Sequence, residues 1–131
     1  MIVSSARSYV GTKFAPHGRS RRGIDCAGLI VLVARDLGVP CADVQKYPMV
    51  ESDLLLLNSL RKSFCEIRRR DEIGSILSFR TNYTEHAGIL VGRRRIVHAW
   101  RRKKEVVESE MPENFESSIS GAFSFLEARR G

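Results

Sequence analysis

The sequence is short of cysteines, aromatics, long apolar runs and acidic residues, and each shortage excludes something. The three cysteines (26, 41 and 65) cannot all pair within the chain. Their spacing fits neither a disulfide framework nor a zinc ribbon, so at least one thiol must be accounted for. No apolar stretch approaches the roughly 18 residues that a membrane helix needs. Residues 1–10 lack a basic start followed by a long apolar segment, so the expectation is a chain made in the cytoplasm without a signal peptide. No repeat, low-complexity tract or linker divides the 131 residues, which points to one domain spanning 1–131.

The deficit of acid leaves a formal charge of +7, with basic clusters at Arg19/Arg21/Arg22, Arg68–Arg70, Arg93–Arg95 and Arg101–Lys104. Such a balance favours anionic partners. Single-strand nucleic-acid binders interleave aromatic side chains with basic ones. Here only Trp100, beside Arg101 and Arg102, meets that pattern. Nucleic acid is therefore not an expected partner.

Patterning divides the chain into helices first and strands afterwards. Residues 4–10 form a short helix candidate stopped by Gly11, and Thr12–Gly23, with its glycines, proline and four basic residues, reads as an irregular loop. Asp25 can cap a helix in which Cys26, Ile30, Val33 and Leu37 recur at helical spacing, and Gly38-Val39-Pro40 ends it. A further helix is expected over 51–64. The segments 73–80, 86–91, 95–100 and 105–110 are short and rich in β-branched residues, with 121–126 as a last edge strand. That order indicates an α+β domain with an antiparallel sheet of about five strands backed by helices.

Cys26 occupies the first helical turn after a glycine-bearing loop. There the unpaired backbone N–H groups and the helix dipole favour a thiolate. Ala27 and Gly28 are small enough to admit a substrate backbone, and the Cys26 N–H can face an oxyanion. The alternative is a buried structural cysteine. A nucleophilic thiol needs a base, and the base an orienting group. His86 and His98 stand twelve positions apart on two predicted strands joined around Gly92–Arg94. Side chains alternate faces with period two, so the register of this hairpin decides whether the imidazoles meet. A loop of only Arg93 and Arg94 sends them to opposite faces. A three-residue loop, or a bulge of the same effect, puts His98 opposite Gly88 and one same-face step from His86.

Four segments, in order, carry a resemblance: Gly11-Thr12-Lys13-Phe14, Gly23-Ile24-Asp25-Cys26-Ala27-Gly28-Leu29, His86-Ala87-Gly88-Ile89-Leu90-Val91-Gly92 and Ile96-Val97-His98-Ala99. Together they resemble the NlpC/P60 cysteine peptidases. The resemblance implies a papain-like fold and hydrolysis of amide bonds in peptidoglycan stem peptides, without metal or other cofactor. It implies Cys26 as nucleophile, His86 as general base and His98 as the group that orients it. Phe14, His17, Arg19, Arg22, Asp25 and Ala27 become candidate substrate contacts, the arginines as clamps for substrate carboxylates.

The chain departs from the family pattern at three places. Phe14 replaces a tyrosine, Ala27 a serine and Ser75 an aspartate, with His17 the candidate to replace the lost hydroxyl donor. The short form and the Tyr47-Pro48 pair are similar to the NlpC/P60 proteins of phage tails and gene-transfer agents. The implied location is a virion tail tip, with tail hub or baseplate proteins as partners and the recipient cell wall as the place of action. The alternatives are a catalytically idle tail-tip component and a papain-like amidase or acyltransferase.

Overall fold

The computed structural model describes residues 1–41, 55–81 and 84–126. Its elements are α1 (Ile2–Arg7), β1 (Arg19–Ser20), β2 (Gly23–Ile24), α2 (Cys26–Leu37), α3 (Leu55–Ser63), β3 (Cys65–Ile67), β4 (Ile76–Thr81), β5 (Thr84–Gly92), β6 (Arg95–Trp100), β7 (Glu105–Glu110), α4 (Glu113–Glu116) and β8 (Ile119–Ser124). Among the described residues the main sheet has six antiparallel strands in the order β3-β8-β4-β5-β6-β7, and β1 and β2 form a small ribbon.

Helix α2 begins and ends where the side chains dictate. The Asp25 carboxylate accepts the N–H of Gly28, and Gly38 closes the helix in the left-handed region at φ 70°. One face of the sheet (Ile76, Ile89, Val97, Val106 and Phe123 among others) packs against Leu29, Ile30 and Val33 of α2 and Leu60 of α3. The opposite face buries Leu77, Phe79, Leu90 and Ile96 beneath Met111 and Phe115. Burial of one face or the other accounts for strands that read as nearly continuous apolar runs.

Three expectations are corrected. The sheet has a sixth strand, β3, too short at three residues to show a period. The strand near the C-terminus lies inside the sheet, between β3 and β4, rather than at its edge. The first helix starts and stops earlier than expected, at Ile2 and Arg7. The Tyr47-Pro48 pair and the beginning of the helix expected over 51–64 lie outside the described residues.

Candidate active site

The β5–β6 hairpin settles the register. Arg93 and Arg94 alone form its turn, with Gly92 opposite Arg95, and a bulge at Val91 shifts the pairing to Leu90↔Ile96 and Ile89↔Val97. The extra residue sets His98 against Gly88, where a Cβ would stand 3.1 Å from the Cβ of His98. The imidazoles therefore share a face. His86 Nε2 lies 2.8 Å from His98 Nδ1, and His98 Nε2 lies 3.1 Å from Ser109 Oγ.

Cys26 approaches from α2, which packs on β5. The last registered β5–β6 pair toward this end is Ile89↔Val97. Beyond it, the backbone N–H groups of Ala87 and Ala27 favour the Cys26 thiolate. The sulfur is thus held against the residue that directly follows His86. Ala87 itself faces α2, whereas the paired imidazoles lie among Phe79, Trp100 and Phe115 on the opposite face of the sheet.

Aromatic rings close over the histidines. Phe115 stands 5.3 Å from His86 and 6.0 Å from His98 between ring centroids, and Trp100 stands 5.0 Å from His98. Burial among them lowers His86 to about 3, with His98 adding to the effect, and lowers His98 to about 4. The Cys26 thiol is pushed up to about 12, first by burial and then by the Asp25 carboxylate, against the two N–H donors and Arg19. At neutral pH the resting site therefore holds a neutral thiol and two neutral imidazoles.

One tautomeric arrangement leaves His86 Nδ1 able to accept a proton. In it His86 Nε2–H donates to His98 Nδ1, and His98 Nε2–H donates to Ser109 Oγ. Ser109 was not among the expected site residues. Its signal was present in the alternation of β7, since Ser109 pairs with Ile96 and so stands diagonal to His98 on the same face.

The remaining expected site residues divide. Asp25 is completely buried and accepts from the backbone N–H groups of Gly28 and His17 at 2.8 Å each. It also holds the Arg19 guanidinium at 2.9 Å, with only 8% of the Arg19 side chain exposed. Asp25 and Arg19, both expected at the substrate, are turned inward on each other. A carboxylate that caps a helix out of reach of water needs a buried counter-charge, and Arg19 supplies it. Gly28 leaves space for this unit, since a Cβ there would collide with the Gly18 carbonyl.

His17 is exposed on a left-handed turn at φ 61°. Arg22 is exposed in the β1–β2 turn, and Ala27 lies partly buried beside the sulfur. Phe14 is bridged to Ile24, two residues before Cys26, and its N–H donates to the Lys104 carbonyl. None of the three cysteines is in a disulfide.

The NlpC/P60 family profile matches residues 11–120. The chain belongs to the NlpC/P60 family. Among solved structures it is similar to NlpC1 from Trichomonas vaginalis, at 18% identity over 95% of this chain and 42% of that one, with TM-score 0.72. An NLP/P60-family protein similar to lipoprotein, from Staphylococcus aureus, matches at 20% identity over 97% of this chain and 41% of that one, with TM-score 0.70. The chain thus spans about two fifths of the length of these proteins. The NlpC/p60 domain of the peptidoglycan hydrolase SagA matches at 22% identity over 94% of this chain and 95% of that one, with TM-score 0.64. No curated protein sequence matches. The mixed architecture of antiparallel sheet and helices is the papain-like fold of the NlpC/P60 family.

Proposed function

We propose that this chain is a cysteine peptidase that hydrolyses amide bonds in peptidoglycan stem peptides. The observation that carries the reading is the imidazole pair, His86 Nε2 to His98 Nδ1 at 2.8 Å, on the strand whose Ala87 N–H favours the Cys26 thiolate. Family membership supports it, as do structural neighbours named as peptidoglycan hydrolases, SagA and RipB from Mycobacterium tuberculosis.

His86 Nδ1 takes the thiol proton as the sulfur attacks the scissile carbonyl. The Cys26 N–H at the start of α2 faces the oxygen that gains charge. The C–N bond then breaks, and His86 passes its proton to the departing amine. Water attacks the thioester, with His86 accepting its proton, so that the acid leaves and the thiol is restored. Purified peptidoglycan tests the proposal by loss of turbidity, with mass spectrometry identifying new peptide ends. Wild type is active and Cys26→Ala is not. Equal activity in both, or in neither, overturns the reading.

Phe14 favours a second reading, an idle structural component, because the ring offers no hydroxyl to a reacting carbonyl. Released products that carry an acyl group on a new acceptor would instead mark an acyltransferase. We further propose that the protein acts from a phage-like tail tip on the recipient wall, docked on an acidic tail hub or baseplate protein. The basic balance and the Asp25-Cys26-Ala27-Gly28-Leu29 form support this. Co-purification with a tail particle from producing cells is the expected result, and recovery only as free protein refutes it.

A further inference from the structure

The positive charge of this molecule is unevenly compensated. At the β5–β6 turn, Arg94 pairs with Glu116 at 2.7 Å and Arg95 with Glu108 at 3.2 Å. The other end of the same hairpin differs. Trp100 leads into a 3-10 turn, Arg101–Lys103, which Lys104 closes in the left-handed region at φ 63°. All four basic residues are exposed, and among the described residues none of them forms an ion pair with a carboxylate.

This turn is fixed in place. The Lys104 carbonyl accepts from Phe14 N–H at 2.9 Å, and Val106 N–H donates to the Thr12 carbonyl at 2.8 Å. Arg101 lies 5.8 Å above the Phe14 ring and Lys103 lies 5.9 Å above Trp100. Those two rings flank the chemistry, Trp100 stacking on His98 and Phe14 bridging to the strand that leads into Cys26. Uncompensated positive charge therefore stands at the rim of the proposed site, beginning three residues after His98.

We propose that the Arg101–Lys104 turn is a specificity-determining subsite for substrate carboxylates, selecting acidic over amidated stem peptides. This rests on the peptidase reading. The peptide backbone would lie across Cys26 while a free carboxylate beyond the scissile bond meets the turn, whose guanidinium and ammonium groups donate charge-assisted hydrogen bonds. An exposed subsite of this kind gains from field and proximity rather than burial, so its effect is modest and falls with salt.

The test uses the full chain carrying Cys26→Ala, titrated calorimetrically with a synthetic stem peptide bearing free carboxylates and with its fully amidated counterpart. Arg102→Gln and Lys104→Asn are combined as the probe. Neither side chain covers an aromatic ring, and asparagine tolerates the left-handed backbone at 104. The acidic peptide binds the doubly substituted protein roughly three- to tenfold more weakly, the amidated peptide binds both proteins alike, and raising salt erodes only the acidic preference. Equal affinities for the acidic peptide overturn the proposal, as does an equal loss toward both peptides or tighter capture of a single-stranded DNA oligonucleotide. Turnover in a Cys26-intact background separates the two claims. Hydrolysis with charge-blind binding refutes the subsite alone, and charge-selective binding without hydrolysis refutes the activity alone.

Discussion

Acid should unfold this protein through two residues, His86 and His98. Both imidazoles are neutral in the folded protein, lowered to about 3 and about 4, whereas an unfolded imidazole titrates near 6.5. Between those limits the unfolded chain binds protons that the native state refuses, so stability rises with pH and is lost as pH falls below 6.5. At pH 5 each histidine lies about 1.5 pH units below its unfolded value, and each unit costs about 1.4 kcal/mol, or about 2 kcal/mol per residue. Together they remove about 4 kcal/mol between pH 7 and pH 5, a large part of the stability of a small domain.

Urea unfolding at the two pH values measures this directly. His86→Asn and His98→Asn should each shrink the difference between pH 7 and pH 5 by about half, whatever they do to stability at pH 7. His17 is present in every variant, so the comparison isolates the two site residues. A wild-type difference below about 1 kcal/mol, or one unchanged in both variants, refutes the claim that the site holds its histidines uncharged.

Other substitutions probe the supports. Arg19→Gln leaves the buried Asp25 carboxylate without its counter-charge and should destabilise the fold by about 3–5 kcal/mol in urea titrations. Ser109→Ala should lower kcat about tenfold or more with little change in KM, because His98 loses the partner that fixes its tautomer; Ser109→Thr should restore most of the rate. Phe14→Tyr puts a hydroxyl beside the strand leading into Cys26 and should raise kcat, with up to about 3 kcal/mol of transition-state stabilisation available from one donor. An unchanged kcat would show that this ring does not face the reacting carbonyl.

The helix carrying Cys26 was legible in the sequence because Asp25 and Gly38 state its ends chemically, independent of anything distant. The meeting of the two histidines was legible as a condition rather than an outcome. Period two demands an odd offset, and a bulge was one of two ways to provide it. Which of them applies depends on how Val91 is accommodated in the hairpin, a tertiary matter. The Arg19–Asp25 pair was not legible, because a guanidinium in a glycine-bearing loop looks solvent-facing until the cap it neutralises is seen to be sealed. The interior place of β8 and the existence of β3 rest on pairings between residues about sixty positions apart, Cys65 with Ser124 for example, which local pattern does not encode. Ser109 needed both the β6–β7 register and the burial of His98 before it meant anything.

The surplus residue at Val91 separates two requirements that would otherwise conflict. A tight two-residue reversal at Arg93-Arg94 imposes one parity on the hairpin, and the histidine pair imposes the other. With the parity corrected inside the strand, the reversal itself carries no catalytic obligation. Excising the single residue between Leu90 and Gly92 would leave a well-paired sheet whose two imidazoles face away from each other.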